Sequence, residues 1–131
     1  TKQIALNKFS MAKFGIPYCY SPVILARNSS LIADKNAYSL FIKATQKGYL
    51  YAAKNKAAAV SILSDYLTDY DKINIDLNQS IDVTAPHFGD DEACGFMEFE
   101  RVNVFLQWLV DQKLENENII NQHLFTNDLL K

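Results

Sequence analysis

Apolar positions recur at spacings of three and four along most of this chain, the period of helices lying against a core. The clearest run holds Tyr38, Phe41, Ile42, Thr45, Tyr49, Ala52 and Ala53. Asp34 or Asn36 can cap its start. Asn55 can stop it in a left-handed conformation. Lys43, Gln46, Lys47, Lys54 and Lys56 fall largely on the other face. Gly48 lies inside the run, where glycine costs about 1 kcal/mol relative to alanine. That cost points to a close packing contact at Gly48. An alanine-rich helix follows over Lys56–Leu67. Asp69–Asp71 suits a helix start. Ile73, Leu77, Ile81 and Thr84 then share one face until Pro86 ends the helix. After the loop His87–Gly95, a second clear amphipathic helix runs over Glu98–Gln112. Phe99, Val102, Phe105, Leu106, Leu109 and Val110 form its stripe, with Trp108 at the border. Asn116, Asn118 and Asn121 mark a loop. Leu124, Phe125, Leu129 and Leu130 form an apolar clasp at the end.

Strand-like patterns are confined to the beginning. Gln3–Asn7 reads as a short strand, Lys8–Gly15 as a loop or one helical turn, and Arg27–Ser30 as a turn. Tyr18–Ala26 (YCYSPVILA) ends in an unbroken apolar run, which suits a strand covered on both faces. Pro22 has no N–H for a ladder, so this strand starts there or lies at an edge. The expected fold class is therefore α/β, with two or so short strands followed by about four helices. Two strands do not make a self-sufficient sheet. Their partners are expected to lie outside this chain. The chain begins at Thr1, without Met or a signal-peptide pattern, and reads as cut from something longer.

Composition removes several function classes. With 131 residues, 49% hydrophobic and 21% charged, the chain has an ordinary globular make-up and enough apolar surface to exclude disorder. A net charge of −2 argues against a strongly basic nucleic-acid binder. No apolar run approaches the ~20 residues that span a bilayer. Cys19 and Cys94 are the two cysteines. They stand far apart, without CxxC, HExxH or clustered Cys/His spacing, so no locally built zinc site is expected. Both read as buried, inert thiols. No GxSxG, GxGxxG or GxxxxGK[ST] pattern is present.

Four motifs in series resemble a known family. GIPYCYSPVILARNSSLI comes first. The helix LFIKATQKGYLYAAKNKAAAVSIL follows, with Phe41, Lys43, Ala44, Lys47, Gly48, Tyr51, Ala52 and Asn55 at the family's positions. CGFMEFERVNVFLQWLVDQKL carries Gly95, Met97, Trp108, Leu109 and Leu114, and LFTNDLL closes the chain over Leu124 to Leu130. Together they look like the C-terminal half of a type II periplasmic binding protein. The branch is the one that binds thiamine-pyrimidine precursors and includes pyrimidine synthases of thiamine biosynthesis. Cys94 stands where the family usually has Trp.

The resemblance implies a two-lobed α/β protein of about twice this length, with its ligand between the lobes. Residues 1–26 would be strands of the second lobe and the hinge crossover. Residues 27–131 would be a helical part packing on the first lobe. Tyr18, Cys19, Tyr20 and Ser21 would pass the cleft, where an aromatic ring can stack on a heteroaromatic ligand and keep a polar handle. Core or hinge packing is the simpler alternative for both tyrosines. The implied function is a solute-binding protein of an ABC importer, capturing a thiamine pyrimidine precursor or a similar small heteroaromatic. It would perform no chemistry and need no cofactor. Its partners would be the small-molecule ligand, the missing N-terminal half and an ABC permease, with no nucleic acid. It would be periplasmic or a membrane-anchored lipoprotein. The enzyme alternative is a cytoplasmic pyrimidine synthase using pyridoxal phosphate and iron. Those synthases carry a cysteine-rich run where this chain has only Cys19, which favours the binding protein. A third reading is a stand-alone helical domain, which requires Tyr18–Ala26 to be paired and covered within this chain. His87 with Asp90, Asp91 and Glu92 reads as a solvated loop. Trp108 reads as core, and the lysines as a solvated helix face.

Overall fold

A computed structural model describes residues 7–130. Among them are six helices, α1 (Asn28–Ala33), α2 (Lys35–Lys54), α3 (Lys56–Ser64), α4 (Asp69–Asn74), α5 (Leu77–Thr84) and α6 (Phe99–Asp111). Short 3-10 turns lie at Met11–Phe14, Ala85–His87 and Glu117–Asn121. The expected α/β class is overturned, because no strand is present among the described residues. The Gln3–Asn7 strand falls almost entirely outside them. Tyr18–Ala26 runs as irregular chain, with Val23, Ile24 and Leu25 exposed at 50%, 56% and 87%. Its residues from Val23 to Ala26 make no backbone hydrogen bond to another described residue. A strand is held by ladder bonds to a neighbour, and no described segment supplies one. The stand-alone reading required this run to be paired and covered, and among the described residues it is neither.

The chain forms two compact units. The first is Ala33–Phe96, joined by Leu129 and Leu130 at the chain end. In it α2 packs on α3, and α3 on α5, around the buried Ala59, Ile81, Ala85 and Cys94. Small side chains at Ala59 and Ala85 let the helices approach. Asp34 starts α2 by accepting the Ala37 N–H at 3.0 Å. Asn55 ends α2 and begins α3 with φ −129°. With ψ 54° this is not the left-handed conformation expected. Part of the α2 stripe also faces out: Phe41 is 56% exposed and Tyr49 43%, while Tyr38, Ile42, Thr45, Ala52 and Ala53 are half-buried. Gly48 is no packing contact, since a methyl placed there would meet nothing within 4 Å.

The helix expected through Ile73 and Thr84 is two helices. Thr68 caps α4, accepting the Asp71 N–H at 3.2 Å, and Asp76 caps α5, accepting the Gln79 N–H at 3.0 Å. The α4–α5 break leaves the apolar spacing of four intact, so periodicity alone does not reveal it. α3 stops at Ser64, short of Leu67.

The second unit gathers the chain up to Ile32 with Met97–Asp128. Its centre is α6, which buries Val102 and Leu106 and packs on the 3-10 turn at Glu117–Asn121. Of Arg27–Ser30, expected as a turn, Asn28, Ser29 and Ser30 are instead the first residues of α1. The final motif is locked by polar bonds as well as apolar contact. Asn127 Nδ2 donates to the Met97 carbonyl at 2.8 Å, and Asn127 Oδ1 accepts the Met97 N–H at 3.0 Å. Phe125 lies beside Phe99, with ring centroids 6.2 Å apart.

Candidate functional site

The segment Gly15–Ser21 runs beside α6 in the second unit. One open hollow of about 560 Å³ lies there, lined by Ile16, Pro17 and Tyr18 on one side and Val104, Gln107, Trp108 and Asp111 on the other. Helical geometry explains the second wall. Val104, Gln107, Trp108 and Asp111 follow one another at three and four, so they share one face of α6. The opposite face carries the buried Val102 and Leu106.

Tyr18 is 52% exposed and lines this hollow. Trp108, set down as core, is half-buried and lines it too. Its outer ring is backed by Phe105, stacked at 6.0 Å between centroids. Tyr20 points its chemistry elsewhere. Its hydroxyl oxygen accepts the Glu98 N–H at 2.9 Å, one of the amides that a helix start leaves without an internal partner. The Arg101 guanidinium sits 5.1 Å from the Tyr20 ring centroid, a cation–π distance. Arg101 also pairs with the Glu98 carboxylate at 3.2 Å. Tyr20 thus anchors the segment that presents Tyr18. Cys19 is a half-buried free thiol, and Ser21 is exposed.

Along the rim, Gln107 Nε2 donates to Asp111 Oδ1 at 2.8 Å. A carboxylate only accepts, so the amide must turn its NH2 towards it. That leaves Gln107 Oε1 and Asp111 Oδ2 as acceptors and one Gln107 N–H as a donor.

The first unit has its own shallow apolar depression of about 330 Å³, lined by Gly48, Tyr49, Leu63, Leu77, Ile81 and Phe88 among others. Tyr49 and Phe88 meet edge to face there, 4.8 Å between centroids. The acidic loop of this unit folds on itself. Asp90 Oδ1 accepts the Ala93 N–H at 2.9 Å and the Glu92 N–H at 3.0 Å. These two bonds, Ala93's first, hold the Asp90 carboxyl below the ordinary carboxylate range. Asp91 pairs with Lys54 at 3.1 Å in solvent. No cluster of His, Cys, Asp and Glu fit to hold a metal is present among the described residues. Cys94, at the end of this loop, is a buried free thiol. Its N–H donates to the Asp90 carbonyl at 3.0 Å, and its own carbonyl accepts Gln46 Nε2 at 2.7 Å. Burial pushes the thiol above its ordinary value, so it is a poor nucleophile.

Residues 1–59 match the family model described as NMT1/THI5 like. The match covers Tyr18, Cys19, Tyr20, Ser21 and all of α2, and less than half of the 131 residues. It supports the broad family resemblance over this part of the chain. No curated protein and no solved structure matches. No helix among the described residues is long and apolar enough to cross a membrane.

Proposed function

We propose that this chain is the C-terminal half of a solute-binding protein of an ABC importer, with the two-lobed type II periplasmic fold. Its solute is a thiamine-pyrimidine precursor or a similar small heteroaromatic. The observation that carries this reading is the NMT1/THI5-like match over residues 1–59, which spans the segment with Tyr18. The open hollow between Tyr18 and Trp108 supports it, since two aromatic side chains with space between them suit a flat ring. The bare apolar run Val23–Leu25 supports a further segment that covers it. In this reading Tyr18 and Cys19 face the solute, Ser21 contributes a hydroxyl at its edge, and Tyr20 fixes their position. The protein acts by capture and delivery to a membrane permease, from the periplasm or a lipid anchor.

The synthase alternative draws on the same family match, which does not separate the two. The single cysteine in Tyr18–Ser21 favours the binding protein. Calorimetric titration with a panel of thiamine-pyrimidine precursors tests the ligand. Micromolar binding without turnover supports the importer reading. An absence of heat with every member removes the ligand assignment.

A further inference from the structure

The rim of the hollow in the second unit carries a carboxylate, that of Asp111. Asp111 Oδ1 is occupied by Gln107 Nε2 at 2.8 Å. Gln107 Nε2 spends one of its two N–H groups on the carboxylate, which leaves Asp111 Oδ2 and Gln107 Oε1 as acceptors beside the remaining amide N–H, and Asp111 is the one charged residue among the described lining residues. Tyr18 and Trp108 line the hollow beside them. Aromatic faces are negative at their centres and attract cations. Among the described residues no lysine or arginine lines the hollow, so none of those walls would neutralise a bound anion. A carboxylate beside two aromatic side chains favours a cation over an anion.

We propose that this hollow selects a small organic cation: an ammonium group carried on or beside a flat ring. The ring lies between Tyr18 and Trp108, and the ammonium donates to Asp111 Oδ2 and Gln107 Oε1. This rests on the reading that the hollow holds the solute, and it adds the charge class of that solute and two residues, Gln107 and Asp111, that select it. An anionic ring of the same size is rejected, because it would bring a second negative charge against Asp111.

Trp108 is the chain's one tryptophan, so its emission reports on the hollow. The test is a fluorescence titration of the full chain with benzylamine, benzyl alcohol and benzoate, which share one ring and differ in charge. Benzylammonium is expected to change Trp108 emission saturably, with benzyl alcohol weaker and benzoate showing no binding. Asp111→Asn keeps a partner for Gln107 and removes the charge. It is expected to weaken benzylammonium about threefold or more, the scale of an exposed charge or cation–π contact, with circular dichroism unchanged. Equal binding of amine and alcohol, with Asp111→Asn neutral, overturns the cation preference and leaves the solute site standing. No saturable change with any of the three overturns both.

Discussion

The side-chain amide of Asn127 closes a two-bond ring with the backbone of Met97, donating at 2.8 Å and accepting at 3.0 Å. Only a carboxamide offers a donor and an acceptor side by side in the plane needed to copy a peptide partner. The ring joins the chain's last motif to the residues that enter α6, and both partners are half-buried. Asn127→Ala leaves the Met97 N–H and carbonyl without their partners. The expected loss is about 1–3 kcal/mol, read as a lower urea midpoint. Asn127→Asp keeps an acceptor for the N–H but sets a carboxylate against the Met97 carbonyl. It should be no more stable than the alanine variant at neutral pH.

Two glycines should respond to alanine with opposite sign. Gly89 has φ +80°, and a Cβ there would stand 3.0 Å from the Cys94 backbone nitrogen. Neither the left-handed backbone nor the rigid neighbour can yield cheaply. Gly89→Ala is expected to lose more than about 1 kcal/mol. Gly48 lies within α2 with nothing within 4 Å of an added methyl. Gly48→Ala is expected to gain up to about 1 kcal/mol, the helix-propensity difference. Thermal melts of the two variants check both signs. A loss at Gly48 would mean that some segment approaches that face in solution.

These glycines also mark where sequence reasoning stops. Gly48 stood out because a mid-helix glycine is costly, but cost does not say what uses the space. Helices α2 and α6 were legible because their apolar residues keep the helical period over many turns. The break between α4 and α5 was not, because Ile73, Leu77 and Ile81 stay in phase across it. The pair Asp76 and Gln79, spaced as a helix start, was the available signal. Tyr18–Ala26 misled for a different reason. A continuous apolar run records that something should cover it, and it is silent on whether the cover lies in the same chain. In the candidate site, Tyr18 was legible and Trp108 was not. A border position on a helical stripe gives no measure of the space beyond it. The Gln107–Asp111 pair, at i and i+4 on a clear helix, could have been found by spacing alone.

The buried Cys94 thiol should make stability depend on alkaline pH. Burial raises it above its ordinary value of 9.0. Between that value and the raised one, the unfolded chain has lost a proton that the folded chain keeps. Stability therefore falls as pH rises through this window, and the contribution is fully present below it. Cys94→Ala removes the effect. The measurement is the urea midpoint of both proteins across the window, and their difference should shrink as pH rises. In thiol labelling at neutral pH, Cys19 should react before Cys94, because it is half-buried where Cys94 is buried.

Asp90 gives the acid counterpart. The Ala93 and Glu92 amides hold its carboxyl below the ordinary range. Their contribution is present above the ordinary carboxylate value and is lost as pH falls through the lowered one. A carboxyl titration followed by NMR should place Asp90 below the ordinary aspartate value. Asp90→Ala should loosen the loop that ends at Cys94 and raise the labelling rate of that thiol.

Leu25 decides between an isolated domain and a covered one. It is 87% exposed, and Val23 and Ile24 beside it are also bare. In the chain as it stands, Leu25→Ser removes almost no buried surface, so stability should change by less than about 0.5 kcal/mol. The exposed run Val23–Ala26 also leaves its backbone groups open to another strand. Leu25→Ser should therefore reduce self-association, measured by light scattering at rising concentration. The result reverses if a further segment covers this run. The same substitution in a longer chain carrying that segment would empty a core position and cost about 2–5 kcal/mol. Paired unfolding measurements on the short and the longer chain separate the cases. A small effect in both would leave Val23–Leu25 uncovered and remove the support this run lends to the two-lobed reading.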